Sequence, residues 1–141
     1  MSLTTGKIKP VFLSGTIYFG AEFETDSETG EETGTFRYSS SLQLDRCTLI
    51  PNGDNERLIF DIIPGRGFYD RSFAAFLYSD GTLLGKIKYT RDAAVTDDII
   101  KGSYERTDQN EIAIRGITDD TQGVKEPFYI ELEAAGRQPG S

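Results

Sequence analysis

Along most of this chain, apolar and polar residues alternate with a period of two, which is the pattern of β-strands that bury one face. The alternation begins clearly after Gly15, where one face of a predicted strand carries Ile17, Phe19, Ala21 and Phe23. Further stretches with this pattern cover 35–44, 99–106, 111–118 and 127–135. The pattern predicts a domain built from short strands joined by turns.

The segment Ser72–Thr90 is predicted to be the central hairpin of this domain. Two apolar runs flank Asp80-Gly81, and a tight hairpin turn needs the positive φ that Gly adopts without strain. The alternative is a helix that starts with Asp70 as its N-cap and ends at Gly81. The strand is favoured, because the aromatic residues in the first run are better strand formers than helix formers.

The segment Arg57–Ile63 and the central hairpin are apolar on both faces. A strand with two apolar faces is expected to be covered on both sides, and a large exposed apolar area is a liability for a monomer. We therefore expect a homo-oligomer, most simply a dimer. Its predicted interface consists of Ile59, Ile63, Phe76, Tyr78 and Leu84.

About eight strands at hairpin spacing predict an all-β fold, an antiparallel up-and-down barrel with the general shape of lipocalin-like and avidin-like barrels. A helix packed on a sheet, an α+β fold, is the second choice. The barrel domain is expected to span 11–135, between a flexible lead-in at 1–10 and a disordered tail at 136–141. Between strands, 90–98 is expected to be a connector with a short helical turn around 93–95.

The interior of such a barrel is either filled by side chains or open to one small ligand. The predicted filling residues are Phe19, Phe23, Phe36, Phe60 and Phe128. Inward-facing glycines are predicted at positions 85, 102 and 116. Such glycines permit sharp coiling of the strands or leave space for a ligand.

Composition excludes several kinds of chemistry. The chain has no histidine and one cysteine, Cys47, so this chain alone cannot form Ser-His-Asp or Cys-His catalytic groups, His-ligated zinc or an iron–sulfur cluster. Cys47 is expected to be a small buried apolar residue. A net charge of −8 argues against nucleic-acid binding, because phosphate contacts need clustered basic residues. No signal peptide or membrane span is visible, and a cytoplasmic location without membrane association is expected.

Two loops contain charged residues that resemble known ion sites only in part. The acidic loop Thr25–Gly34 departs from the EF-hand template at its glycine and final glutamate positions, so a solvated loop is expected and no metal is assigned. The loop 64–71 carries Arg66 and Arg71 beside two glycines. The two arginines are candidate anion contacts, although the phosphate-loop pattern is incomplete.

Three functions from different classes remain open. The first is a non-catalytic module that binds a small apolar or aromatic ligand, with Tyr38, Ser40 and Tyr104 as contacts. The second is an interaction module that acts through its apolar outer face. The third is a barrel isomerase or cyclase in which Asp61, between two isoleucines, would act as the acid or base. No cofactor is predicted, and binding without catalysis ranks first.

Overall fold

The computed structural model describes residues 10–63, 70–91, 94–108, 111–120 and 123–134, and these residues form ten strands and no helix. The strands are β1 (Val11–Phe19), β2 (Glu22–Thr25), β3 (Glu32–Arg37), β4 (Ser40–Asn52), β5 (Asn55–Ile62), β6 (Asp70–Leu77), β7 (Thr82–Arg91), β8 (Ala94–Asp108), β9 (Glu111–Asp119) and β10 (Lys125–Ala134). The predicted lead-in, apart from Pro10, and the predicted tail lie outside the described residues.

Eight of these strands close into one barrel in the order β1-β10-β9-β8-β7-β6-β5-β4, and every neighbouring pair is antiparallel. The predicted eight-stranded antiparallel barrel is therefore confirmed. The alternative helix over 70–81 is wrong, because the described chain is extended from Asp70 to Leu77. The remaining strands, β2 and β3, pair with each other as a separate hairpin. In the described part of the chain, no helix is long and apolar enough to cross a membrane.

Glycine turns join two pairs of neighbouring barrel strands, and one of them is the turn predicted at Gly81. Gly81 has a φ of 92° between β6 and β7, and Gly53 has a φ of 67° between β4 and β5. Asp80 fixes the first turn, since its carboxylate accepts hydrogen bonds from the Thr82 amide at 3.0 Å and from the Thr82 hydroxyl at 2.6 Å. The central hairpin is thus confirmed in both its strands and its turn.

A bulge bends β4 near its middle. The register to β5 shifts between Asp45 and Thr48, and Arg46 takes a φ of 53°. An extra residue in one strand of a pair increases the local bend and twist that a closed barrel needs. The strand then continues to Asn52.

The segment 90–98 differs from its prediction. Strand β7 runs to Arg91, β8 begins at Ala94, and the two strands pair directly, with Arg91 opposite Ala94. The expected connector with a helical turn around 93–95 is therefore wrong for the described residues. The pairing of long neighbouring strands outweighed the helical preference of the alanines.

The hairpin of β2 and β3 folds against the outer wall of the barrel. Phe23 packs edge-on against Tyr129 with ring centroids 4.9 Å apart, and Phe36 packs edge-on against Tyr18 at 4.9 Å. The outward residues Tyr18 and Tyr129 lie on β1 and β10. Phe23 and Phe36 were expected inside the barrel, and this prediction is wrong. Alternation showed which residues share a face but not which surface that face covers.

The middle of the barrel is filled by side chains. The rings of Phe60 and Phe73 stack at 4.3 Å, and Phe73 meets Phe128 edge-on at 6.4 Å. Ile100 and Ile114 have no solvent-accessible surface, whereas a ligand cavity beside them would leave part of them accessible. A Cβ added to Gly116 would lie 2.6 Å from the Phe128 ring, so this inward glycine makes room for a phenylalanine.

The two ends of the barrel have different linings. At one end, here called the closed end, the inward side chains are mainly aliphatic: Leu13, Leu49, Leu58, Leu77, Leu83, Ile112 and Leu132, all buried. Tyr104 completes this end and donates a hydrogen bond of 2.6 Å from its hydroxyl to the carbonyl oxygen of Tyr78. The opposite end, here called the mouth, lies where β1, β5, β7 and β9 finish.

Candidate functional site

The mouth holds a cavity of about 180 Å³ with a mixed polar and aromatic lining. Its lining residues are Phe19, Arg71, Ile87, Tyr89, Asp98, Thr118 and Glu126. Phe19 and Ile87 belong to the buried core, so the polar groups stand directly above the packed interior. A cavity with an apolar floor and a few converging polar groups is the usual form of a small-molecule site.

The polar side chains reach the mouth because the strands keep their alternation beyond the apolar core. Asp98 lies two residues before the buried Ile100, and Thr118 lies four residues after the buried Ile114. Glu126 precedes the buried Phe128 by two residues in the same way. Side chains separated by an even number of residues point to the same face of a strand, so these three groups point inward.

Asp98 is the central polar group of the cavity. Its carboxylate accepts a hydrogen bond from the Tyr89 hydroxyl, which lies 3.1 Å from one oxygen and 3.2 Å from the other. Burial raises the pKa of Asp98 above its usual value, and the negative charge of Asp120 adds to this effect. The Tyr89 hydrogen bond and the positive charge of Arg71 act in the opposite direction. The carboxylate is thus less well solvated than an ordinary surface carboxylate.

Arg71 lies across the floor of the cavity. Its guanidinium carbon is 4.9 Å from the centroid of the Phe19 ring, within the range of a cation–π contact. Arg71 was a candidate anion contact from the sequence, and the structure places it next to Asp98 and Glu126 in the same cavity. Arg66, the other candidate, lies outside the described residues.

A second cavity of about 380 Å³ adjoins the first at the mouth and shares Asp98, Thr118 and Glu126 with it. Its charged lining adds Glu22, Asp120 and Lys125. Across both cavities, four carboxylate side chains face two basic side chains. The charge at the mouth therefore favours a positively charged group over a negatively charged one.

The structure gives no support for a metal site among the described residues, where no group of three or more acidic or cysteine side chains is placed to hold an ion. In the acidic loop, the Asp26 carboxylate accepts hydrogen bonds from the backbone amides of Glu28 at 2.7 Å and Thr29 at 3.1 Å. These bonds lower the pKa of Asp26. The carboxylate serves the turn itself, as the solvated-loop prediction requires.

Asp61, the candidate acid or base, lies on the outer wall of the barrel. Its carboxylate accepts a hydrogen bond of 2.6 Å from the Arg46 guanidinium on the neighbouring strand, and its side chain is 41% exposed. Asp61 is therefore paired with an arginine on the outside of the barrel and does not lie in its interior. Among the described residues, Tyr89 and Asp98 are a hydroxyl and a carboxylate that hydrogen-bond to each other on the inner side of the barrel.

The three predicted ligand contacts do not lie together. Tyr104 belongs to the closed end, whereas Ser40 pairs with Phe19 near the mouth. Tyr38 is 50% exposed and packs on Tyr18 outside the barrel, with ring centroids 4.9 Å apart. A single ligand inside the barrel cannot contact all three residues.

Three of the predicted interface residues, Ile59, Phe76 and Leu84, lie on the outer wall of β5, β6 and β7. The other two, Ile63 and Tyr78, directly follow β5 and β6. Ile63, Phe76 and Leu84 are exposed, and Ile59 and Tyr78 are half-buried. None of the five side chains belongs to the buried core of the barrel, so they form part of its outer surface. Its role as a dimer interface stays a prediction.

Cys47 is buried, as expected, in the core. Burial raises the pKa of its thiol to about 12. A thiol that stays protonated is a poor nucleophile, so Cys47 does not act as one in the folded chain.

The sequence analysis missed Tyr89, Asp98, Thr118 and Glu126 as site residues. The available signal was the alternation itself, which continues from buried positions to polar ones at four strand ends. No family model, no curated protein and no solved structure matches this chain. The function proposed for it therefore depends on the geometry of the mouth.

Proposed function

We propose that this protein is a non-catalytic binding protein that holds a small organic amine in the mouth of its barrel. The observation that carries the proposal is the cavity of about 180 Å³ in which Asp98, Tyr89 and Thr118 converge above the aromatic ring of Phe19. In this arrangement the protonated amine would pair with the Asp98 carboxylate. Its carbon chain would lie over the apolar floor.

The charges at the mouth support an amine over a neutral or anionic ligand. A carboxylate that burial has partly deprived of water gains more from a new positive partner than a fully solvated one does. Glu126 lines the same cavity and adds negative charge. An anionic ligand could pair with Arg71, but it would then also lie close to the carboxylates of Asp98 and Glu126. These carboxylates would repel a second negative charge.

An apolar ligand in the centre of the barrel was the first expectation from the sequence. The contact between Phe60, Phe73 and Phe128 leaves the mouth as the better place for a ligand. The ligand class changes with the place, because the lining at the mouth is polar. The proposal still agrees with the first expectation from the sequence in one respect, since both describe a barrel that binds a small molecule without catalysis.

The test is a titration of the isotope-labelled protein with three ligands of equal length, butylamine, butanol and butyrate, followed by NMR chemical shifts. Such small ligands bind weakly, and NMR detects weak binding. We expect butylamine to shift the resonances of Tyr89, Asp98 and Thr118 at lower concentration than butanol or butyrate does. Equal binding of butanol, or tighter binding of butyrate, would contradict the proposal.

Two matched variants locate the binding. Asp98→Asn keeps the size and an acceptor for the Tyr89 hydroxyl but removes the charge, and it should weaken butylamine binding about tenfold. Asp61→Asn makes the same chemical change on the outer wall and should leave binding unchanged. If both variants bind butylamine as the unaltered protein does, the amine does not bind at the mouth.

A further inference from the structure

A second surface, on the outer wall of β6 to β9, combines exposed apolar side chains with lysines. We call it the lysine–apolar face, and it consists of Phe76, Leu84, Lys86, Ile99, Lys101 and Ile117. Phe76, Leu84 and Ile99 are 38%, 44% and 47% exposed. They lie on three successive strands, so their side chains form one continuous surface and not scattered single residues.

The register of the strands places each of two lysines between apolar or small residues. Lys86 lies opposite Ala74 on one side and Ile99 on the other. Lys101 lies opposite Leu84 and Ile117. Directly opposed residues are the closest side-chain partners across two strands. Neither lysine has a carboxylate in such a position on a neighbouring strand.

Most arginines on the described surface have the acidic partners that these lysines lack. Arg37, Arg46, Arg106 and Arg115 each form an ion pair with a glutamate or an aspartate. In the described residues, Lys86 and Lys101 form no ion pair. The chain has a net charge of −8, so a basic surface of this kind stands out from an acidic background.

We propose that the lysine–apolar face is a docking surface for an acidic protein segment that carries apolar side chains. The carboxylates of the segment would pair with Lys86 and Lys101. Its apolar side chains would cover Phe76, Leu84 and Ile99. Complementary charge and apolar contact would then act together, as they do in specific protein interfaces.

Two other occupants fit this face less well. A second copy related by a two-fold axis presents the same surface to itself, so the lysines of both copies would crowd one interface. An anionic membrane would attract the lysines but repel the protein as a whole, because of its negative net charge. The lysine–apolar face shares Phe76 and Leu84 with the dimer interface predicted from the sequence, and that dimer stays a separate prediction.

The experiment measures fluorescence anisotropy of a labelled synthetic peptide in which glutamates alternate with leucines and phenylalanines. Two control peptides replace either the glutamates by lysines or the apolar residues by serines. We expect the acidic, apolar peptide to bind more tightly than both controls. We also expect added salt to weaken its binding, because salt screens exposed charges.

The matched variants are Lys86→Glu/Lys101→Glu on the face and Lys125→Glu at the mouth. The first should weaken peptide binding at least about tenfold, and the second should leave it nearly unchanged. Leu84→Ser should weaken binding without altering the charge. Circular dichroism of each variant confirms that the barrel is folded before binding is compared.

Three results would overturn the proposal. The first is that the unaltered protein and Lys86→Glu/Lys101→Glu bind the peptide equally tightly. Another is binding to phosphatidylserine vesicles with no binding of the peptide, which would assign the face to a membrane. The third is a dimer in light scattering that Leu84→Ser dissociates, which would assign the face to self-association.

Discussion

The two ends of the barrel are made from the same strands but differ in what their inward positions contain. At the closed end, leucines and isoleucines meet and one hydroxyl, that of Tyr104, finds a backbone acceptor. At the mouth, the inward positions hold Arg71, Tyr89, Asp98, Thr118 and Glu126. The difference shows that the alternation builds the wall, while the last inward residue of each strand decides whether an end is closed by apolar side chains or lined by polar ones.

The largest expected effect concerns the closed end. Leu77→Ala removes a side chain with no solvent-accessible surface and should lower the free energy of unfolding by about 2–5 kcal/mol. Leu84→Ala, the same change on the exposed outer wall, should cost much less. Urea unfolding of both variants measures the difference. Equal losses would show that the closed end is not packed as described.

An intermediate effect is expected from the hydroxyl at the closed end. Tyr104→Phe removes the donor to the Tyr78 carbonyl and should cost about 0.5–1.5 kcal/mol of unfolding free energy. Tyr38→Phe, on the exposed outer surface, is the control and should have almost no effect. Butylamine binding should be the same in both variants. A loss of binding in Tyr104→Phe would mean that the two ends are not independent.

The smallest effect is the pH dependence at the mouth. The pKa of Asp98 is raised in the folded protein, so the folded state holds this proton more tightly than the unfolded state does. The resulting stabilisation is complete below the unfolded pKa and is lost as the pH rises through the folded pKa. Relative to Asp98→Asn, the unaltered protein should therefore lose stability from acidic to neutral pH.

Unfolding of both proteins at a series of pH values measures this difference directly. Subtracting the variant removes the opposite contribution of groups such as Asp80, whose pKa is lowered by its bonds to Thr82. The expected change is smaller than that for Tyr104→Phe, because Asp98 is only partly buried. A difference that is constant with pH, or that grows in favour of the unaltered protein, would contradict the desolvated environment assigned to Asp98.

The barrel could be predicted because its signals are local. Period-two alternation indicated the strands, and Gly81 indicated the turn of the central hairpin. The sequence analysis placed Phe23 and Phe36 inside the barrel, because they alternate with polar residues as regularly as the residues of a core strand do. Only the contact with Tyr18 and Tyr129 shows which surface they cover, and alternation contains no information about contacts between distant strands.

The mouth was harder to predict than the barrel for a related reason. Tyr89 on β7 donates a hydrogen bond to Asp98 on β8, but the sequence analysis placed both at the edge of a connector. Once 94–98 is recognised as strand, the position of Asp98 follows from Ile100 by counting two residues. Arg71 was selected from the sequence for its charge and its neighbouring glycines, but its place above Phe19 depends on closure of the barrel.

The pairing of Gly116 with the Phe128 ring has a consequence for how such a fold changes over evolution or by design. The Phe128 ring occupies the space beside Gly116 that a Cβ at this position would otherwise fill. Replacing Phe128 by a smaller residue would open a local cavity beside Gly116 without removing a backbone hydrogen bond of the barrel wall, while the stacked rings of Phe60 and Phe73 would still fill their part of the interior.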